Sequence, residues 1–192
     1  MDRFNDTAST AALLASRRSG KAREMIAPGP DSGQLQAILA AAARVPDHGK
    51  LNPWRFVVID NRAAFAEALM AIYLTGKPDA GRLEREAVTQ FATQAPCLVV
   101  VIASPKPSHI PLWEQELSVG AACQNLVLAA HAQGFVTNWL TGWAAYDDKV
   151  LALLGGDAPE RIAGFFFIGT QAKPLEERPR PELSTVISHW RG

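Results

Sequence analysis

From Leu112 to Gln133 the chain keeps helical spacing while small or apolar residues occupy nearly every face, as in "ELSVGAACQNLVLAAHAQG", and Gly134 supplies the stop. A helix that is apolar all round has no face to give to water. It has to lie inside the protein, and the remaining elements have to be arranged around it. A second stretch adds to this constraint. "CLVVVIAS", Cys97 to Ser104, is an unbroken apolar run of strand length, which reads as a central strand covered on both faces.

"RFVVID" (Arg55 to Asp60), "FVTNWLTGW" and "RIAGFFFIGT" read as further strands. At the end of the chain, "STVISHW" alternates like a strand after a Pro-rich, charged stretch that cannot pack as regular structure. Helices are expected over Thr7 to Ser16, from a cap at Asp31 or Ser32 to about Arg44 before Pro46, through "AAFAEALMAIYL", and near Asp147 to Leu154. The charged segment Gly76 to Gln94 is partly helical and reads as a mobile flap over the core.

This order is not a regular alternation of strand and helix, and neither GxGxxG nor GxxxxGK[ST] occurs. The expected fold class is therefore α+β, a small mixed or antiparallel sheet surrounded by helices with the long helix buried at the centre. The chain of 192 residues suits one domain over 1–192, with a C-terminal arm from about 173 to 192. A buried helix and a terminal strand reached over a Pro-rich arm both fit an obligate homodimer. The helix would meet its symmetry mate, and the arm would exchange its strand with the partner subunit.

Nineteen basic residues balance nineteen acidic ones, so no global field draws the protein to nucleic acid or to an anionic membrane. Any anion site must be local. No stretch is apolar for the roughly 18 residues of a membrane span, and "MDRFNDTAST" lacks the charged and apolar regions of a leader, so a reducing, cytoplasmic location is expected. Cys97 and Cys123 lie in apolar segments without metal-type spacing and read as buried free thiols. Positive charge gathers in two places. One is "RRSGKAR", Arg17 to Arg23, at a helix exit, where complementing the helix dipole is the plain alternative to binding. The other is "VPDHGKLNPWRF", Val45 to Phe56, where prolines, a glycine, an amide and basic groups crowd ahead of a strand.

"RRSGKAR", "AARVPDHGKLNPWRF", "AACQNLVLAAHAQGF", "NWLTGW" and "FFFIGT", in this order over nearly the whole chain, resemble the nitroreductase family of flavin enzymes. "VPDH" with "PLWEQE" is similar to a small, compact branch of that family. The resemblance implies a homodimer with two FMN molecules at the subunit interface. They are reduced by NADH or NADPH and reoxidised, by a ping-pong mechanism, by a nitroaromatic, a quinone or a similar small conjugated acceptor.

FMN offers a phosphate dianion, a ribityl chain and a ring whose N1–C2=O edge becomes negative on reduction, so its site needs cations and donors in two separated places. The family pattern implies Arg17, Arg18 and Ser19 on the phosphate and Lys21 at the ring edge. It implies Arg44 and His48 at the phosphate and ribityl end, and Asn52 where the family usually has a glutamine. Lys50, which stands where many members carry an asparagine, lies either beside the ring or toward solvent. Trp139, Leu140 and Thr141 match the strand end that closes over the flavin, whereas Trp143 reads as core. Ala130, His131, Ala132, Gln133, Gly134 and Phe135 resemble a stretch assigned to weak nicotinamide contact. Glu114 and Glu116 either line the open face or cap their helix, and Lys173, Arg178 and Arg180 compete for a second phosphate contact. No metal is implied, and no side chain is implied as a catalytic residue in the strict sense. The alternative functions are an FMN-binding carrier or sensor without turnover, or a family member with a different flavin reaction.

Overall fold

The computed structural model describes residues 4–192; residues 1–3, where the leader reading begins, lie outside them. Strand β5 (Arg161–Gln171) organises the sheet, which has five strands among the described residues, all antiparallel to their neighbours. It pairs with β3 (Cys97–Ala103) from Ile168 to Arg161, with β4 (Val136–Leu140) from Gly169 to Phe165, and at its end with the two-residue β1 (Met25–Ile26). Strand β2 (Trp54–Val58) lies outside β3.

The expected cover on both faces of the apolar run is present, and strand pleating explains it. Successive side chains point to opposite faces. Leu98, Val100 and Ile102 of β3 and Phe165 and Phe167 of β5 join one core with Phe65 and Leu69 of α3 (Arg62–Gly76) and Val88 and Ala92 of α4 (Arg82–Thr93). Val99, Val101, Phe166 and Ile168 join a second core with Ile38 and Ala42 of α2 (Ser32–Ala42) and Val119, Cys123, Leu126, Val127 and Ala130 of α5 (Leu112–Ala132). Each strand serves two cores, so neither face could be polar. Asp31 begins α2 with a reciprocal capping box. Its carboxylate accepts from the Gln34 N–H at 2.8 Å, and its own N–H donates to Gln34 Oε1 at 3.0 Å.

Two expectations change. Gly76 to Gln94 is not a flap. Val88 and Ala92 are buried, and Phe91 meets Phe165 and Phe167 edge-on at 5.0 and 5.5 Å. The Arg62 guanidinium ties the end of α4 down by donating to the carbonyls of Ala92 at 2.6 Å and Gln94 at 2.8 Å. The second change concerns "STVISHW". It contains no strand, and a single helical turn, α7 (Leu183–Val186), stands there after the Thr185 hydroxyl bonds back to the Glu182 carbonyl. Alternation makes a strand only where a sheet edge offers hydrogen bonds, and here Leu183, Val186, Ile187 and Trp190 are all exposed.

Helix α5 is buried along most of its length but is not covered all round in the single subunit. A stripe at helical spacing, Trp113, Leu117, Gly120, Gln124 and Leu128, stays wholly or partly open, with Trp113 67% and Leu117 54% exposed. No described helix is long and apolar enough to cross a membrane.

Candidate functional site

The basic loop follows α1 (Thr10–Ser16) directly, and Arg17 stands at the helix C-cap. Asn5 pins the turn, its side chain accepting from Arg18 N at 2.8 Å and donating to Arg18 O at 3.1 Å. The loop then runs beside β4: Gly20 N donates to Thr137 O at 3.1 Å and Ala22 N to Asn138 Oδ1 at 3.1 Å. Position 20 is closely approached: a Cβ there would overlap Gln171 Oε1 and press on Val136 and Met25, so the Gln171 side chain would have to move.

The side chains of this loop face the C-terminal tail. Arg18 donates to Glu176 O at 2.6 Å, and Arg180 donates to Arg17 O at 3.4 Å and to Glu177 at 2.9 Å. Burial first, then the charges of Arg180, Arg18 and Arg178, lower the affinity of the Arg17 guanidinium for its proton, with Glu177 opposing. Of the three tail cations left open by the sequence, Arg178 and Arg180 therefore act on Arg17. Lys173 instead meets Glu24 at 3.9 Å, the carboxylate that also holds Lys21 at 3.6 Å. A cleft of about 390 Å³ between loop and tail is lined by Arg18, Ser19, Lys21, Gln171, Lys173 and Leu175, among others.

Among the described residues three buried polar side-chain atoms lack a hydrogen-bond partner: Arg17 Nε, His131 Nδ1 and Gln171 Oε1. All three border this loop. Gln171 lies against Gly20, and His131 feels the charge of Arg17. Clustered cations with an unpaired buried donor make this end of the loop suited to an anion.

The second basic segment is a tight loop on the other end of α5. Gly49, Lys50 and Asn52 have φ of 80°, 56° and 48°, left-handed values that glycine and asparagine take readily and lysine rarely, so hydrogen bonds that hold the loop matter. Asp47 supplies one, accepting from Asn52 N at 2.8 Å. Helix α5 supplies more: Ser118 donates to Pro46 O at 2.9 Å and Asn125 to Arg44 O at 2.9 Å. His48 Nδ1 meets Glu114 Oε2 at 2.6 Å. The partner of His48 is thus Glu114 rather than its neighbour Asp47, while Glu116 faces a small crevice beside Pro53 and Arg161. Arg44, His48, Lys50 and Asn52 are all exposed.

At the end of β4 the Trp139 indole lies over Gly164, with its N–H donating to Ala163 O at 3.0 Å and 40% of the residue exposed. Leu140 packs on the first core, Thr141 is half-buried, and Trp143 meets Tyr73 in a tilted pair with ring centroids 5.0 Å apart, against the first core. The nicotinamide stretch does not form a continuous surface. Ala130, His131 and Phe135 point into the protein, and Ala132, Gln133 and Gly134 alone reach solvent, because this last helical turn packs against α2 and β4.

The structure therefore assembles two clusters and keeps them apart. His131, beside Arg17, and Glu114, on His48, are seventeen residues apart on one helix, about 25 Å at 1.5 Å per residue.

The family model described as "Nitroreductase family" matches residues 14–170, which include the basic loop, the His48 loop and the whole sheet except the last residue of β5, and end before the tail residues of the first cluster. The chain belongs to the nitroreductase family. It is 35% identical to the Escherichia coli (strain K12) protein named "Putative NAD(P)H nitroreductase YdjA" over 182 residues, 93% of this chain and 97% of that one. The fold agrees with a nitroreductase-like family protein from Bacillus cereus, at a TM-score of 0.79 and 21% identity over the full length of both chains. It also agrees with a single-site mutant of the FMN and NADPH-dependent nitroreductase NfnB from Sphigopyxis sp. strain HMH, at a TM-score of 0.75 and 24% identity over 96% of this chain and 99% of that one.

Within this nitroreductase fold, Asn138, Gln171 and Glu24 border the first cluster without having been singled out from sequence. Asn138 and its partner Ala22 are 116 residues apart, and no local pattern signals such a contact. The glycine inside "RRSGK" was the one available sign that another element passes close behind the loop.

Proposed function

We propose that the chain is an FMN-dependent oxidoreductase that takes electrons from NADH or NADPH and passes them to nitroaromatics, quinones or similar conjugated acceptors. Two copies would form a homodimer and hold two FMN molecules between them. The observation that carries this reading is the separation of the two clusters along α5. A twofold axis that lays α5 antiparallel to its mate brings the Arg17 end of one subunit to the His48 end of the other, twice. The open stripe of α5 is the face available for that pairing, and a side chain at Gly120 would meet nothing, so a partner helix has room to approach.

The residues present suit FMN. Arg17, with its unpaired Nε–H, together with Arg18, Ser19 and Arg180 offers donors for a phosphate dianion. Lys21, exposed and held by Glu24, is the cation for the N1–C2=O edge; Arg44, His48 and Asn52 would come from the other subunit to the ribityl end. Lys50 lies on the same loop, and Trp139, Leu140 and Thr141 would border the ring. When bound, FMN supplies hydride acceptance from the nicotinamide and return of the electrons to the second substrate. The chain supplies orientation, positive charge and exclusion of water, and no side chain has to act as nucleophile. The two unpaired thiols, Cys97 and Cys123, suit a reducing cytoplasm.

Absorbance tests the reading. The purified protein should be yellow, bleach with NADH or NADPH without oxygen, and recover its colour when a nitroarene or quinone is added. A colourless protein that takes up no FMN overturns the proposal, and a flavin that neither nucleotide reduces indicates a carrier.

A further inference from the structure

Three polar side chains of α5, Glu114, Ser118 and Asn125, follow one another along a single face of the helix, and all three hold the left-handed loop. Two of them hold backbone. The Ser118 hydroxyl donates to the Pro46 carbonyl at 2.9 Å, and the Asn125 amide donates to the carbonyls of Arg44 at 2.9 Å and Ala41 at 3.3 Å. With Asp47 accepting from Asn52 N, and a Cβ at Gly49 already due to meet Ile110 at 3.2 Å, the path of the loop is set without Glu114. Glu114 reaches a side chain instead, its Oε2 lying 2.6 Å from His48 Nδ1. A carboxylate oxygen can only accept, so the ring hydrogen stands on Nδ1. His48 is exposed, and Nε2, across the ring, is the nitrogen left for a ligand. Nε2 accepts when the ring is neutral and donates when it is charged. A hydroxyl can partner it in either state, whereas the oxygen of a phosphate dianion can only accept.

We infer that Glu114 is a positioning residue for the flavin: it keeps the ring hydrogen of His48 on Nδ1 and turns Nε2 toward a hydroxyl of the ribityl chain. The inference rests on the FMN reading above. It assigns His48 to the ribityl chain rather than the phosphate, and it gives Glu114 a role other than lining the open face or capping its helix.

Nitrogen-15 NMR of the apoprotein reads the ring hydrogen directly. It should stand on Nδ1 of His48 in the wild type, divide between the two nitrogens in Glu114→Ala, and return to Nδ1 in Glu114→Gln, whose amide oxygen also accepts. Dissociation constants then read the consequence. Glu114→Ala should weaken FMN and riboflavin, which keeps the ribityl chain but lacks the phosphate, by the same factor of about three- to tenfold, and Glu114→Gln should bind both nearly as the wild type does. In a His48→Ala background, Glu114→Ala should have no further effect. An effect that persists there would mean that the carboxylate supports the fold in general, and it overturns the inference. So does a His48 tautomer indifferent to Glu114. Weakening of FMN alone would put His48 on the phosphate and overturns it as well. A wild type that takes up neither flavin counts against the FMN reading, and the inference falls with it; a wild type that binds FMN no more tightly than Glu114→Ala fails the inference alone, so the two failures are distinguishable.

Discussion

Gly164→Ala tests whether the Trp139 indole is held over the sheet as described. Gly164 is buried in β5 next to the irregularity at Val101 and Ile102, and a Cβ there would overlap Nε1 and Cδ1 of Trp139. The indole would have to swing outward. It would lose its hydrogen bond to Ala163 O, about 0.5–1.5 kcal/mol, and its contact with Phe166 at 5.1 Å, about as much again. With some residual overpacking, the substitution should destabilise the protein by about 2–4 kcal/mol, a fall of roughly 5–15 °C in Tm for a chain of this size. Thermal unfolding followed by circular dichroism at fixed protein concentration reads this directly. The decisive arm is the same change in Trp139→Ala. There the nearest remaining atom to the new methyl is Leu140 O at 3.2 Å, so the penalty should drop below about 1 kcal/mol. An equal penalty in both backgrounds would refute the reasoning, because the clash would then not be with the indole.

The Arg55 guanidinium, bonded to both Glu160 oxygens at 2.9 and 2.8 Å, holds that carboxyl down to about 2. Its stabilising effect should be present above the unfolded value near 4.5 and be lost as pH falls toward 2. In urea titrations, Arg55→Gln should therefore cost about 1.5–3 kcal/mol at pH 7 and little near pH 2, and a constant difference would contradict this. Lys21→Ala should weaken FMN binding roughly ten- to a hundredfold and slow reduction by NAD(P)H, as measured by flavin fluorescence and stopped flow. A larger effect of Lys50→Ala would move the ring contact to that residue. Ending the chain after Glu182 removes side chains that are exposed in the single subunit, so any effect reports the partner. Sedimentation should show weakened dimers with flavin loss, and a dimeric, fully yellow truncation would make the tail a passive extension.

The parts of the fold legible in the sequence are those whose pattern needs only local periodicity. The β3 run and the α5 stretch announced themselves because both cores draw on alternate residues of the same strands. Segment Gly76 to Gln94 misled because its charges outnumber the few positions, Val88, Phe91 and Ala92, that dock it. "STVISHW" misled for the opposite reason, since alternation states which face a strand would bury but not whether an edge exists to receive it. Strand β1, two residues long, has no period to read. At the site, the basic loop and the left-handed loop stood out by composition. The tertiary details did not. The Glu114 partner of His48, the place of Gln171 behind Gly20 and the inward turn of Ala130, His131 and Phe135 depend on how α5 lies across the sheet, which no spacing along the chain encodes.

The central claim is that each site is built from two subunits, with the Arg17 cluster from one and the His48 loop from the other. Subunit mixing tests it most directly. Arg17→Ala with Arg180→Ala removes one half-site, and His48→Ala with Asn52→Ala removes the other. Each doubly substituted protein alone should bind little FMN. Co-expressed and purified as the mixed dimer through two different tags, they should regain one intact site, read as one FMN per two chains by absorbance against protein concentration. A mixed dimer as empty as its parents would contradict a shared site.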